Sequence, residues 1–311
     1  MNTPDTKAAP TGHAGSPRIA AVFAEKARQG RAALIPYVTA GFPEPEQALA
    51  VLRALVAGGA DIIELGVPFS DPAADGPTIQ RANDRALAAG MSLTKVLALV
   101  AEFRREDPTT PIVLMGYCNP IEAMGIETFA EAAAKAGVDG VLVVDCPPEE
   151  ARDYAAALRS RAIDLIYLLA PTSGPDRRQK VAAVASGYVY YVSLKGVTGA
   201  GNLDTDAVAR ALPAIREAVQ LPVGVGFGIK DATTAARVAE FADAVIIGSR
   251  LIEVLEAGDP AGAPARAQAW LSEVRSAIDA NPKRGGFGLT LSHSPMGRDA
   301  SSRAVRSVPN S

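Results

Sequence analysis

The chain has 311 residues, 48% of them hydrophobic and 21% charged, which is enough apolar sequence for a sizeable core in one or two domains. The net charge of the chain is −3, but it is unevenly distributed: residues 281–311 carry five basic residues and one acid, a net +4. The rest of the chain, its body, therefore has a net charge of −7, which argues against nucleic-acid binding. Both histidines, His13 and His293, lie in segments expected to be tails. The two cysteines have no CxxC spacing. These features exclude a disulfide framework, a zinc site and a histidine-based catalytic triad from the body.

The sequence also indicates where the protein works. No apolar stretch reaches the roughly 18 residues needed to span a bilayer. The first 17 residues lack the apolar block of a signal peptide. We therefore expect a cytoplasmic protein with no membrane association.

Eight short apolar runs recur along the chain and are typical of buried parallel strands. They are Leu34–Val38, Ile62–Leu65, Ile112–Met115, Gly140–Val144, Leu165–Leu169, Val189–Ser193, Pro222–Val225 and Ala244–Ile247. Amphipathic segments with helical periodicity separate them, and Ser92 and Asp231 are placed as helix N-caps. Residues 16–30 predict an additional helix before the first strand, which would close the floor if the strands form a barrel.

Eight strand–helix units over roughly 250 residues predict an α/β fold, a closed (β/α)₈ TIM barrel with an extra N-terminal helix. A doubly wound open sheet would usually carry a GxGxxG motif after its first strand, where this chain has Thr39-Ala-Gly-Phe-Pro43 with one glycine. We assign residues 1–15 to a disordered tail, 16–280 to a single barrel domain, and 281–311 to a disordered basic tail.

Glu64 ends the second predicted strand. If Ile62 faces the barrel interior then Glu64 does too, near the end of the strand where the active sites of this fold gather. Burial there would raise the pKa of the carboxyl and let it donate and accept protons near neutrality. The alternative is a structural glutamate bonded to backbone amides or paired with a base.

Asp75 lies in the following loop, which Pro68, Pro72 and Pro77 restrict. Asp-Gly-Pro-Thr before an amphipathic segment is also good N-cap sequence, so Asp75 is either a helix cap or a second functional carboxylate held over the barrel mouth.

Glycine-bearing loops follow the last three strands. Gly226–Asp231 and Gly248-Ser249 follow the seventh and eighth, where barrels commonly bind phosphate, although such loops also serve as ordinary tight turns. Ser193–Asn202 follows the sixth and is either a mobile lid or a flexible connection. Candidates for lining the pocket are Tyr37, Phe69, Leu114, Tyr117, Tyr190 and Phe227.

Three motifs in this order, ELGVPFSDPAADGPTIQ (Glu64–Gln80), SLKGVTGAGN (Ser193–Asn202) and GVGFGIKD (Gly224–Asp231), resemble the tryptophan synthase alpha chain family from about Phe23 to Ile278. The resemblance implies a TIM-barrel lyase that cleaves indole-3-glycerol phosphate into indole and glyceraldehyde 3-phosphate by a retro-aldol reaction, without a cofactor of its own.

The resemblance also implies a role for each matching residue. Glu64 would move protons and Asp75 would stabilise the positive charge on the indole ring. Substrate contacts would come from Tyr37, Tyr190, Thr198 and Phe227, with Thr198 on the lid, and phosphate contacts from Gly199, Gly228, Gly248 and Ser249. Tyr37 stands where many members have phenylalanine.

The family resemblance further implies a pyridoxal-phosphate-dependent beta chain as partner in an alpha₂-beta₂ heterotetramer, with the Asp75 loop and the lid facing it. Three alternatives stay open: a stand-alone indole-releasing lyase, another phosphate-binding barrel such as a sugar-phosphate isomerase, and a non-catalytic activator of the beta chain.

Overall fold

The computed structural model describes residues 15–192, 205–226 and 228–282. Eight parallel strands close into a barrel in which each pairs with its neighbours in chain order. The strands are β1 (Ala33–Thr39), β2 (Ile63–Gly66), β3 (Ile112–Gly116), β4 (Gly140–Val143), β5 (Asp164–Leu169), β6 (Val189–Val192), β7 (Val223–Gly226) and β8 (Ala244–Ile247). All eight predicted strands are present, and the TIM-barrel prediction is confirmed.

Twelve helices occur in the described ranges. They are α1 (Pro17–Gln29), α2 (Ala48–Ala57), α3 (Pro77–Ala88), α4 (Leu93–Arg104), α5 (Cys118–Met124), α6 (Ile126–Ala136), α7 (Arg152–Arg159), α8 (Pro175–Val184), α9 (Thr205–Val219), α10 (Ala232–Ala239), α11 (Ser249–Glu256) and α12 (Ala263–Ala280). The predicted caps are confirmed, since the Ser92 and Asp231 side chains accept hydrogen bonds from the first turns of α4 and α10. Residues 1–14 and 283–311, which make up nearly all of the two predicted tails, lie outside the described residues.

The barrel interior is a separate apolar cluster built from alternate strand residues. It comprises Ala33, Ile35, Ile62, Val113, Leu142, Ile166, Tyr188, Ala244 and Ile246, with Ile19 from α1. Ile19 is fully buried and Phe23 of the same helix packs on Tyr188, with ring centroids 5.7 Å apart. Helix α1 therefore closes the floor of the barrel, as predicted.

A repeated hydrogen bond ties the strands together at this floor. An N–H group at the start of each odd-numbered strand donates to a side chain that lies just before the next strand. The pairs are Leu34 to Asp61 (2.8 Å), Ile112 to Asp139 (2.9 Å), Leu165 to Ser186 (3.0 Å) and Val223 to Asp243 (2.9 Å). Asp61, Asp139 and Asp243, each just before a strand, therefore have a structural role at the floor.

Basic side chains neutralise these three aspartates. Asp139 is almost fully buried and pairs with Arg18 at 2.9 Å and Arg104 at 2.5 Å. Asp61 pairs with Lys26 and Arg275, and Asp243 pairs with Arg216. Because a buried charge is costly unless it is paired, the arginines and the strand N–H groups together make these carboxylates tolerable. The charged groups at the floor therefore stabilise the fold, and the active site is expected at the opposite end, where the strands end.

No single helix in the described ranges is long and apolar enough to cross a membrane. Helices α3 and α4 reach that length and apolar composition only when taken together, and the two are bent by 93° relative to each other.

Candidate active site

Glu64 points into the barrel and is fully buried. It lies on β2 two residues after Ile62, which belongs to the interior cluster, so the predicted orientation is correct. Its Oε1 accepts a hydrogen bond of 2.6 Å from the Tyr188 hydroxyl, while its Oε2 has no hydrogen-bond partner within the described residues. Within the described residues no Lys or Arg forms an ion pair with Glu64, so the structure gives no support to the alternative of an internal ion pair.

Burial sets the protonation of Glu64. Desolvation of the ionised form raises its pKa from 4.5 to about 7, and the Tyr188 hydrogen bond opposes the rise. A carboxyl that titrates near neutrality is present in both forms at working pH. Glu64 can therefore give a proton to a ligand and take one back.

Asp75 is not a helix cap. Helix α3 begins at Pro77 with Gly76 as its N-cap, and no side chain caps it. The Asp75 carboxylate instead accepts a hydrogen bond of 3.1 Å from the Asn83 amide, which lies in the second turn of α3. Burial raises the pKa of Asp75, while hydrogen bonds from Tyr117 and Asn83 oppose the rise.

Tyr117 holds the loop that carries Asp75. Its hydroxyl accepts a hydrogen bond of 3.1 Å from the Ala74 N–H, and its ring lies 5.1 Å from that of Phe69. The loop is therefore attached to the end of β3 at two points. Leu114, in contrast, belongs to the outer core under the helices, so the prediction that it lines the pocket is wrong.

Two inward-facing tyrosines lie near Glu64 at the mouth of the barrel, and one of them also lies near Asp75. Tyr37 on β1 has a raised pKa because it is buried and because both Asp75 and Glu64 act on it electrostatically. Both carboxylates therefore lie near one side chain at the mouth. Tyr190 on β6 also has a raised pKa, from burial and from Glu64.

Each of these tyrosines lies over a glycine of the next strand. A Cβ at Gly66 would approach the Tyr37 hydroxyl to 2.2 Å, and one at Gly226 would approach the Tyr190 hydroxyl to 2.5 Å. No real side chain tolerates such distances, so both positions require glycine if the rings are to stay in place.

Tyr188 is the hydrogen-bond partner of Glu64 that the sequence analysis did not identify. It precedes the predicted strand Val189–Ser193, in which Tyr190 is the candidate. The alternation rule carried the signal, because Tyr188 and Tyr190 are two residues apart and therefore face the same side.

The predicted phosphate positions lie at the ends of β7 and β8. Gly248 precedes α11 and Ser249 begins it, and Gly228 has a φ of 78°, in the region that favours glycine. Ser249 and Arg250 are in the first turn, where N–H groups have no partner within the helix and can bind an anion. Thr198, Gly199 and Phe227 lie outside the described residues.

The described residues hold no cluster of histidine, cysteine, aspartate or glutamate that could bind a metal ion. Cys118 and Cys146 are free thiols with pKa values raised by burial.

Fold and site together define a class: a (β/α)₈-barrel enzyme whose carboxyl groups lie at the C-terminal mouth, the end where such barrels carry their chemistry. Comparison with known proteins identifies the family within this class. The family model for the tryptophan synthase alpha chain matches residues 23–290. The tryptophan synthase alpha chains of Burkholderia lata and Burkholderia pseudomallei are each 60% identical to this chain, over 84% and 86% of it and 97% and 98% of their own lengths.

Solved structures agree. Tryptophan synthase subunit alpha from Legionella pneumophila superposes with a TM-score of 0.78 at 42% identity, covering 85% of this chain and 98% of that one. A tryptophan synthase structure from M. tuberculosis gives 0.76 at 35% identity, over 84% and 98%. The chain belongs to the tryptophan synthase alpha chain family and is a lyase that cleaves indole-3-glycerol phosphate.

Proposed function

We propose that Glu64 and Asp75 carry out this cleavage between them. The observation that supports the proposal most strongly is the fully buried Glu64 carboxyl, whose pKa is raised to about 7. Tyr37 interacts electrostatically with both Glu64 and Asp75. A retro-aldol cleavage needs a proton delivered to the indole ring carbon that bears the glycerol chain, and a proton removed from the adjacent hydroxyl.

Glu64 is suited to both transfers. Protonated Glu64 gives its proton to the ring carbon, which leaves a positive charge on the ring. The resulting carboxylate then takes the hydroxyl proton; the hydroxyl oxygen becomes the carbonyl of glyceraldehyde 3-phosphate, and the electrons of the breaking carbon–carbon bond return to the ring as indole leaves. Protons and electrons balance, and Glu64 ends as it began. These reaction steps need no cofactor bound to this chain.

Asp75 would accept the indole N–H and stabilise the positive ring. Burial raises its pKa, whereas the hydrogen bonds from Tyr117 and Asn83 oppose the rise and favour the ionised form that this role requires. Tyr37 and Tyr190 would border the indole. Thr198, Phe227 and Gly199 are assigned here only through the family resemblance.

Purified protein assayed for indole release from indole-3-glycerol phosphate tests these roles. Glu64→Gln and Asp75→Asn should each retain less than a tenth of wild-type activity, a barrier increase above ~1.4 kcal/mol. Asp71→Asn, an exposed acid in the same loop, should behave like wild type and controls for loop chemistry. Activity above a tenth in both active-site variants would refute the assigned roles.

We also propose that the phosphate of the substrate binds Gly228, Gly248 and Ser249 at the start of α11. A carboxylate introduced there would repel the phosphate. Ser249→Asp should therefore raise KM more than kcat falls, whereas Ser276→Asp, on an exposed position of α12, should change neither. Equal KM values in the two variants would contradict the assignment.

The family supports a beta chain as partner, and we propose an alpha₂-beta₂ assembly in which the beta chain carries pyridoxal phosphate and consumes the indole. Sedimentation of the mixed chains and indole release with and without the beta chain would test it. Full activity of the isolated chain and no co-sedimentation would instead indicate a stand-alone lyase. The cytoplasmic location stays a prediction for cell fractionation.

A further inference from the structure

Three hydrogen bonds connect Tyr37 to Asp75. The Tyr37 hydroxyl lies 3.2 Å from Thr39 Oγ1 on the same strand, and Thr39 Oγ1 lies 3.5 Å from Asn83 Oδ1 on α3. The Asn83 Nδ2 in turn lies 3.1 Å from Asp75 Oδ2. The three residues that precede Asp75 in this chain of contacts are each at least 95% buried.

Chemistry fixes the direction of every bond. An ionised carboxylate only accepts, so Asn83 must present its NH₂ group to Asp75 and its carbonyl to Thr39. The single Thr39 proton then goes to that carbonyl. The Tyr37 hydroxyl is left as the donor to Thr39. All three bonds run toward Asp75, and such aligned bonds polarise one another.

We propose that Tyr37 is a positioning residue whose hydroxyl acts through Thr39 and Asn83 to keep an N–H donor aimed at Asp75. The inference rests on the proposed role of Asp75 in the cleavage. It also changes the expectation for Tyr37 as a plain pocket residue, because its ring faces the interior while its hydroxyl is committed to Thr39.

The surroundings favour this arrangement over simple filling of space. Gly66 leaves room for the Tyr37 hydroxyl, since any Cβ there would approach it to 2.2 Å. Burial and Asp75 raise the Tyr37 pKa, so the phenol keeps its proton and stays a donor at working pH. Without Thr39 as donor, the Asn83 amide could turn over and place its carbonyl against the carboxylate.

Within the described residues, Asn83 on α3 and Tyr117 at the end of β3 donate hydrogen bonds to Asp75, and Tyr37 on β1 interacts with it electrostatically. Glu64 on β2 lies beyond Tyr37 and acts on that tyrosine as well. Of the two described hydrogen-bond donors to Asp75, Asn83 is the one that Thr39 and Tyr37 orient. A change that reaches Asp75 through this route should therefore leave the titration of Glu64 in place.

Three variants test the proposal with purified protein and indole-3-glycerol phosphate. Tyr37→Phe should lower kcat about two- to tenfold, the loss expected of one net hydrogen bond, with KM nearly unchanged. Thr39→Val should lower kcat further and move the acid limb of the kcat–pH profile to higher pH, because Asp75 loses the donor that favours its ionised form. Thr39→Ser keeps the hydroxyl and should restore both values.

Tyr191→Phe is the matched control. It removes a buried hydroxyl from the outer core of β6 and should leave kcat, KM and the pH profile as in wild type. The proposal is overturned if Tyr37→Phe and Thr39→Val match wild type in kcat and pH profile, or if Thr39→Ser is as impaired as Thr39→Val. Failure of the underlying function is distinct: Asp75→Asn would then retain activity, whatever the Tyr37 and Thr39 variants do.

Discussion

Replacing Glu64 with glutamine should stabilise the protein in alkaline but not in acidic solution. The folded-state pKa of about 7 lies above the ordinary 4.5 of a glutamate, so the folded protein holds a proton that the unfolded chain releases between these values. Stability due to this group is therefore present below pH 4.5 and is lost as the pH rises toward 7. The complete loss is about 3 kcal/mol, because each pKa unit corresponds to about 1.4 kcal/mol.

Glutamine resembles the protonated acid in shape, stays neutral and can still accept the Tyr188 hydrogen bond. It avoids the cost of a buried charge. Urea unfolding of wild type and Glu64→Gln, followed from pH 5 to pH 8, should show the difference in unfolding free energy moving in favour of the variant by most of that ~3 kcal/mol.

Other titrating groups are common to both proteins, so their contributions cancel in this difference. Any pH-independent effect of the substitution cancels as well. A difference that stays constant across this range would mean that Glu64 is ionised without penalty in the folded protein. Burial would then not raise the pKa of Glu64, and Glu64 could not both donate and accept a proton near neutrality.

Three further outcomes are expected. Tyr188→Phe should raise the pKa of Glu64 still further, seen as a shift of its limb to higher pH in the kcat/KM profile, and an unmoved limb would mean that the hydrogen bond is unimportant. Asp139→Ala leaves two arginines unpaired at the barrel floor and should cost about 3–5 kcal/mol in urea unfolding with little change in kcat; a loss below ~1 kcal/mol would contradict the floor network. Gly226→Ala should displace the Tyr190 ring and reduce kcat/KM at normal secondary structure by circular dichroism, whereas wild-type kinetics would show that the ring can move freely.

Local patterns in the sequence were sufficient for the fold. Buried parallel strands are continuous apolar runs, and helices between them have a 3.6-residue period, so both can be recognised from neighbouring residues alone. The inward orientation of Glu64 also follows locally, because strand side chains alternate and Ile62 sets the phase.

Only the tertiary structure decided which groups meet. Tyr188 and Glu64 are 124 residues apart, and they touch because the barrel closes with a particular stagger between its strands. The preference of aspartate for helix N-caps could not separate a cap from a catalytic acid at Asp75. The deciding fact is that Asn83, in the second turn of α3, donates a hydrogen bond to it. Periodicity reports what faces inward, whereas barrel closure and helix docking determine which inward side chains become partners.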